Sequence, residues 1–473
     1  KKIIKNIIVK SRKLSDKKLD ILENKLILQK IIGKSKFYFN GLSTDTRSIN
    51  KDNLFLAIRG KKNNGNNFIN YALKKGASCV VSDSLKKNGK KIIKVKNSIT
   101  FLNSFAKFKR KNSSANIIAI TGSAGKTSLK NLLGQLLQKF GKTYFSPKSF
   151  NNYLGVPISL SNLKSYDKFG VFEVGMSKAG EIKNLTKLIK PHIGIITNIG
   201  EAHLENFKNM KGIAKAKSEI IENIQSGGTI ILNRDDKFFS DLSKKAKLYN
   251  LKIITFGKHK SSDILLKKII KKDQKIKINV KIYNRSMNFD LGDVNIHNVL
   301  ATLAVLDDLK LNLKRIKSIL KDLTPSIGRG KKYEISRYNK RFKFIDESYN
   351  ANPLSVKNAI LKLNSLKKEK FKKYLVLGDM LELGVKTKKY HEEISRVINS
   401  SDIDKVFVKG KLTIFTYKHL DKNKRGNILQ NMEDIDLNLK GLISNNDYLM
   451  IKGSNATGLN DFSKRIIRGF NAI

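Results

Sequence analysis

Apolar residues along this chain fall into two alternating patterns. One is the short unbroken run, as in "NLFLAIRG", "SCVVSD", Ile117-Ile118-Ala119-Ile120, "GVFEVG" and "HIGIIT". A run apolar at every position suits a parallel strand covered on both faces. The other pattern has helical spacing. Leu129, Leu132, Leu133, Leu136, Leu137 and Phe140 recur at i, i+3, i+4, i+7, i+8 and i+11, with Gly141 placed to close the helix. "NNFINYALKKGA" predicts a second helix, closed by Gly76, and "ANPLSVKNAILKL" a third, with Asn352 as cap and Pro353 at the first helical position. Strand and helix alternate from end to end, which predicts an α/β protein with a parallel sheet in each region.

Two breaks divide the pattern. "FKRKNSSANIIAI" passes abruptly from a charged run to a buried-type strand, and "LTPSIGRGKKYE" around Pro325 reads as a hinge. The expected regions are 1–112, 113–325 and 326–473, three domains in a chain of 473 residues. All five prolines stand at apparent element boundaries, where a fixed φ and a missing N–H cost least.

Composition narrows the function classes. No apolar run approaches the ~20 residues of a membrane span, and the apolar pieces of "KKIIKNIIVKSRKL" are too short for a signal peptide. The single cysteine, Cys79, excludes an internal disulfide and fits a reducing, cytoplasmic setting. The formal charge of +56 invites a nucleic-acid reading. The lysines, however, are spread singly and in pairs among Ile and Asn along the whole chain, without the Arg-rich, aromatic-interleaved stripe of a dedicated surface. Solvated faces and general anion attraction are expected, and no specific nucleic-acid partner.

The candidate chemistry starts at Thr121-Gly122-Ser123-Ala124-Gly125-Lys126-Thr127. It resembles a phosphate-binding loop one glycine short, since Ile120 stands where the first glycine of G-x-x-x-x-G-K-[ST] belongs. An apolar strand precedes it and an amphipathic helix follows, an arrangement that aims backbone N–H groups and a helix dipole at phosphate. Lys126 would reach the β- and γ-phosphates of ATP, and the Thr127 hydroxyl would ligate Mg²⁺. Further ligands should come from neighbouring strand ends. Glu173 ends "GVFEVG", and His203 follows "HIGIITNIGEA". In "NMKGIAKAKSEIIENI", Ile213, Ile220, Ile221 and Ile224 form one helical stripe, with Lys217 in its middle. An ammonium there must snorkel, find a partner or lose its charge. A neutral amine can also take up CO₂ as a carbamate, an anionic oxygen ligand.

These residues resemble the Mur ligase family, the ATP-dependent amino-acid ligases of peptidoglycan precursor synthesis. The loop matches the family's T-G-x-x-G-K-T form, Glu173 and His203 match its metal positions, and "AKSEI" implies a carbamylated Lys217. "STDTRSINKDNLFLAIRG", "SFNNYLGVPISL", "IDESYNANPLS", "LGDMLELG" followed by His391, and "LMIKGSNATG" are similar to the branch that takes a UDP-N-acetylmuramoyl-tripeptide and D-alanyl-D-alanine. The resemblance implies three α/β domains: an N-terminal uridine-substrate domain, a central P-loop ATPase-like parallel-sheet domain and a C-terminal Rossmann-like domain. It places Ser43, Asp45, Arg47, Asn151, Asn152, Asn350 and Asn352 on the substrates, and Asn298, Arg329 and Asp346 on the nucleotide. The implied metal set is Thr127, Glu173, His203 and carbamylated Lys217. A monomer is expected. The sequence departs from the family's H-N-x-x-N pattern at Ala301, after His297 and Asn298. Folylpolyglutamate synthase, which shares related central and C-terminal domains but no uridine-binding domain, is the alternative.

Overall fold

The computed structural model describes residues 15–33, 35–60, 63–84, 89–272, 275–366 and 371–468. The unbroken apolar runs become the inner strands of three sheets. In the first, Gly41–Ser43, Asn53–Leu56, Cys79–Ser82 and Ile92–Lys94 lie side by side and parallel. Successive residues of these strands bury against opposite layers. Leu54, Leu56, Cys79 and Val81 pack with helices Asp16–Ile32 and Ser98–Asn112, while Phe55 and Val80 pack with helix Ile69–Lys74. That helix closes at Gly76 in a left-handed conformation, φ +92°, as its sequence implies.

The nine-stranded central sheet runs Arg285–Leu291, Lys275–Ile282, Ile264–Lys272, Lys252–Gly257, Thr229–Asn233, Ile193–Ile196, Asn116–Thr121, Phe169–Glu173, Thr143–Phe145. Its pairs are parallel except at the hairpins among the first three strands. The exception to an all-parallel expectation has a readable cause. "KIKINVKI" alternates lysine or asparagine with Ile or Val, so Ile278, Val280 and Ile282 are buried while Lys277 is exposed and Lys281 half-buried. The third sheet orders Lys331–Arg337, Lys340–Glu347, Tyr448–Lys452, Lys373–Gly378, Lys405–Lys409, Arg425–Leu429, with only the first pair antiparallel.

Two helices differ from their sequence patterns. The helix after the glycine loop spans Lys126–Leu137 and ends short of Phe140, whose N–H turns back to the Leu137 carbonyl. Gly141, at φ +155°, therefore lies beyond the closing turn and is not the helix cap. The helix carrying Lys217 is α-helical only over Met210–Lys217 and tightens into a 3₁₀ stretch, Ser218–Asn223. The Ser218 hydroxyl donates back to the Lys215 carbonyl at 2.7 Å, at the point where the geometry changes.

Strand Asn116–Thr121 sits where the central connections diverge. The chain passes to the Thr143–Phe145 edge on one side and to Ile193–Ile196 on the other. Its carboxyl end is a topological switch point, where open α/β sheets leave a crevice for ligands. The first sheet is docked nearby by Asn162, whose amide accepts from the Leu42 N–H and donates to the Leu42 carbonyl, both at 2.9 Å. Beside it lies a buried ionic cluster. Lys109 donates to Asp20 and Glu23, each at 2.8 Å, and Lys164 reaches the other Asp20 oxygen at 2.8 Å. No helix among the described residues is long and apolar enough to cross a membrane.

Replacing Lys109 by Met strands two buried carboxylates without their main cation. Breaking such a pair costs about 3–5 kcal/mol, so Lys109→Met should lower the urea midpoint of the first unfolding transition, read by fluorescence or circular dichroism. An unchanged midpoint would show that Asp20 and Glu23 are satisfied without it.

Candidate active site

The shortened loop is braced by the next strand. A Cβ on Gly122, φ +147°, would lie 1.9 Å from the Thr197 hydroxyl, so only glycine lets the two strand ends meet. Thr197 and Asn198 then grip Ala124. Its N–H donates to Asn198 Oδ1 at 2.9 Å, and its carbonyl accepts from Thr197 Oγ1 at 2.7 Å and Asn198 Nδ2 at 3.2 Å. The Ser123 hydroxyl exchanges two 2.8 Å bonds with Gly200. Gly125, in the left-handed region, opens the helix, and Lys126 folds back so that Nζ donates to the Gly122 carbonyl at 2.7 Å. Cross-strand hydrogen bonds thus supply the rigidity that a longer glycine loop would draw from its own turn.

Acidic and polar groups surround the loop. Glu173, paired in register with Ile120, is buried; its Oε1 accepts from Asn151 Nδ2 at 2.7 Å. Its Oε2 is buried with no hydrogen-bond partner among the described residues. An orphaned, buried carboxylate oxygen fits Mg²⁺, which takes one or two carboxylates together with phosphate oxygens. The Thr127 hydroxyl accepts from Arg329 Nη2 at 3.3 Å, and the Arg329 guanidinium stacks 4.3 Å from the Tyr349 ring centre. Asn298 leans on the Gly125 carbonyl at 3.4 Å, from the first turn of helix Ile296–Asp308. Ala301 is buried in the apolar layer of that helix, so the position holds core rather than a polar contact. His297 lies outside the loop, with Nε2 3.8 Å from Asp235.

His203 and Glu382 are both non-glycine residues in left-handed conformation, with φ of +57° and +64°. His203 Nδ1 lies 2.5 Å from Glu382 Oε2. It holds the Glu382 carboxyl below its usual range. The Glu382 loop is itself fixed by buried His391, whose Nε2 accepts from the Met380 N–H at 3.2 Å.

Positive charge accumulates in the same place. Lys217 is 1% exposed and has no hydrogen-bond or ionic partner among the described residues, and burial followed by the charge of Lys126 pushes its amine well below the ordinary lysine range. Burial also lowers Lys126, with Glu173 opposing and Arg329 adding to the shift. Lys130, fully buried, is pushed down to about 8 by burial, again opposed by Glu173 and reinforced by Arg329. Lys452, buried at the end of a C-terminal strand, is lowered by burial and by Arg329, against Glu347 and Asp346. Lys126, Lys217, Arg329 and Lys452 thus gather about a region whose carboxylates are Glu173, Glu347 and Asp346, while the Lys130 ammonium is spent on backbone carbonyls.

The remaining positions separate. Asn352 caps helix Pro353–Asn364 and donates to the Ser123 carbonyl at 3.3 Å, so it does reach the loop. Asp346 is turned inward, accepting from the Gly328 N–H at 2.8 Å and the Ser348 hydroxyl at 2.6 Å, and so holds the turn that carries Arg329. Asn350 is exposed and offers its carbonyl to Lys452 at 2.7 Å. Asn152 caps helix Gly155–Ser161 through the Gly155 N–H at 2.9 Å. Ser43, Asp45 and Arg47 form their own cluster at the end of the first sheet. Arg47 forks onto Asp45 with three bonds of 2.8–3.2 Å, which holds that carboxyl below its usual range. Sequence reading passed over Lys130, Thr197, Asn198, Lys452 and Glu382. Lys130 lies at the edge of the apolar stripe of Leu129, Leu132, Leu133, Leu136 and Leu137, not within it, so helical periodicity did not single it out as it did Lys217.

Comparison with known proteins agrees along the chain. Residues 38–110 match the Mur ligase family catalytic domain, 120–306 the Mur ligase middle domain, and 333–455 the Mur ligase, glutamate ligase domain. The UDP-N-acetylmuramoyl-tripeptide–D-alanyl-D-alanine ligase of Buchnera aphidicola subsp. Acyrthosiphon pisum is 36% identical over 445 residues, 91% of this chain and 93% of the relative. A crystal structure of MurF from Acinetobacter baumannii superposes with a TM-score of 0.80 at 25% identity, covering 94% of this chain and 98% of that one. MurF ligase from Thermotoga maritima in complex with ADP gives 0.76 at 25% identity, over 91% and 97%. FolC from E. coli, at 14% identity and a TM-score of 0.60, shares the fold alone.

Gly122→Ala should push the loop off Thr197 and weaken ADP binding on the order of tenfold or more, measured by calorimetry, while the far-ultraviolet spectrum stays unchanged. Wild-type affinity in the variant would mean that the loop does not seat the phosphates.

Proposed function

The chain belongs to the Mur ligase family, and from that membership and the charge of its pocket we infer that it joins D-alanyl-D-alanine to the peptide carboxylate of UDP-N-acetylmuramoyl-tripeptide, with ATP as phosphoryl donor. The observation that carries this reading is the cluster of Lys126, Lys217, Arg329 and Lys452 about the glycine loop with few carboxylates to offset them, Arg329 reaching Thr127 from the C-terminal sheet. Such a site is unfavourable until polyanions enter, and a nucleotide triphosphate with a substrate carboxylate are two of them.

The chemistry follows. A carboxylate is a poor acyl group because oxide cannot leave. Its oxygen therefore attacks the γ-phosphorus, the bond to the ADP oxygen breaks, and an acyl phosphate forms. The dipeptide amine then attacks the acyl carbon, loses a proton, and phosphate departs with the bonding pair. The protein's part is to hold two anions in line and neutralise them. The Ser123–Thr127 amides and Lys126 would seat the β- and γ-phosphates, Asn298 the nucleotide beside the loop, and Arg329 the transferring group. Asp346 would support Arg329 and reach the ribose only if its present bonds exchanged.

Thr127 and Glu173 would hold one Mg²⁺, and His203 with a carbamylated Lys217 a second. Bound Mg²⁺ supplies charge neutralisation at the phosphoryl oxygens. The unpartnered, deprotonation-prone amine of Lys217 supports the carbamate: only the neutral amine attacks CO₂, and the product exchanges an unfavourable buried cation for an anion. Asp45 and Arg47, with Ser43, would bind the uridine end; Asn151, Asn152, Asn350 and Asn352 would border the acceptor and dipeptide sites. The domains are those of regions 1–112, 113–325 and 326–473, the protein acts as a monomer, and its substrates place it in the cytoplasm.

ADP release should require UDP-N-acetylmuramoyl-tripeptide and D-alanyl-D-alanine together and ignore DNA. ATP turnover that answers to a folate substrate instead would overturn the assignment. Lys126→Ala should reduce turnover by about 10³-fold, the scale of losing a main charge contact at a transferring phosphoryl group. Lys217→Ala should be inactive and recover with added short-chain carboxylic acids, whereas Lys217→Arg should not recover. Full activity of Lys217→Ala without additive would remove the carbamate from the mechanism.

A further inference from the structure

Lys130 lies one turn beyond Lys126 on the same helix and is fully buried, yet its ammonium is spent on the chain that follows the helix and not on the loop. Its ammonium donates to the Ser146 carbonyl and the Lys148 carbonyl, both at 2.5 Å. Between these two acceptors the chain turns through Pro147 to Lys148, a left-handed residue at φ +47°.

The segment so gripped, residues 146–152, touches Glu173 and residues of the first and third domains. The Ser146 hydroxyl accepts from the Glu173 N–H at 3.2 Å. The Ser149 hydroxyl accepts from the Tyr349 hydroxyl at 2.8 Å, a C-terminal contact made by the same ring on which Arg329 stacks. Phe150 packs into the core of the first sheet, against a backbone approach that only a glycine at 155 permits. Asn151 holds Glu173 through its amide and receives the Gly175 N–H on its carbonyl at 2.7 Å. The charge of Lys148 reaches Asp45 in the Ser43–Asp45–Arg47 cluster. A single short stretch therefore registers the first and third domains against the central one.

Stability alone does not account for a lysine here. An apolar side chain of similar length would fill the volume without burying charge, although two carbonyls would lose their donor. What the ammonium adds is direction: three donors from one point can close a turn that neither strand propensity nor packing closes.

We propose that Lys130 is the positioning residue of segment 146–152, holding Asn151 on Glu173 and the acceptor-binding domains in register with the ATP loop. This inference rests on the ligase reading above. Its action is through the segment, so it should govern use of the UDP-linked peptide and the acyl-transfer step and leave the seating of ATP largely alone.

The test uses the full-length protein with Lys130→Met, which keeps the stem and removes the ammonium, and Lys130→Gln, which keeps a shorter donor. Amide hydrogen exchange is followed over residues 122–126 and 146–152, alongside ADP affinity and steady-state kinetics. In Lys130→Met, amides of 146–152 should exchange faster while those of 122–126 hold, and ADP affinity should stay within about threefold. The kcat/KM for UDP-N-acetylmuramoyl-tripeptide should fall about a hundredfold, the scale of an ångström-level misplacement, with Lys130→Gln in between. Unchanged exchange over 146–152 in both variants overturns the proposal, as does an equal loss of ADP affinity. Failure of both variants to fold overturns it too, by making Lys130 a requirement of the fold. Should the wild-type protein prove inactive on these substrates, the functional reading fails, and the exchange data still decide what Lys130 holds.

Discussion

Excess positive charge around the glycine loop is the constraint on which the rest of the site depends. Arg329 lies within electrostatic reach of Lys126, Lys130 and Lys452, and Lys126 within reach of Lys217, and each has its basicity lowered by burial before any other influence. Like charges in a low-dielectric space repel strongly, so the arrangement persists only because the surrounding fold overdetermines it. Each local device answers part of that repulsion. Glu173 sits among three of the cations, Glu347 and Asp346 beside others, and Lys217, which has no carboxylate, is the one best served by losing its proton.

The overdetermination comes from close backbone approaches. Glycine at 122 lets the loop strand meet Thr197, glycine at 175 admits Asn151, and glycine at 155 admits Phe150. Each contact fixes a polar group that would otherwise swing. The C-terminal sheet adds its share from across the crevice, through Asn352 on Ser123, Arg329 on Thr127 and Tyr349 on Ser149. A site assembled from three sheets must lose these contacts when the domains part, so substrate entry and the completed charge constellation are linked by geometry.

The chain-wide charge of +56 and the pocket's charge are different phenomena. Most lysines stand in solvent, where water and salt screen them and their energetic weight is small. Of the few that are buried, Lys109 and Lys373 are held in structural ion pairs, while Lys217 and Lys452 lie near the glycine loop, where screening is weak. Counting charges along the sequence could not separate the two populations; burial did.

Much was legible beforehand. The strand–loop–helix at Ile117–Leu137, the capping of helix Pro353–Asn364 by Asn352, and the misplaced Lys217 all follow from local rules of periodicity, turn chemistry and amphipathicity, which act over a few residues and so are written in the sequence. Family resemblance carried the substrates. Contacts between residues far apart in the chain were another matter. Lys130 reaching Ser146 and Lys148, Asn198 bracing Ala124, Lys452 joining the crevice from the last strand, and Glu382 meeting His203 depend on which strand ends share a sheet edge. Helix closure at Leu137 rather than Gly141, and the parallel sheet's antiparallel margin, were decided the same way, by neighbours. Sequence alone determined the local elements and the kind of chemistry, because both are set by short-range patterns. Only the tertiary structure decided which cations are stripped of water together, because desolvation and Coulomb energy depend on distances in space and not along the chain.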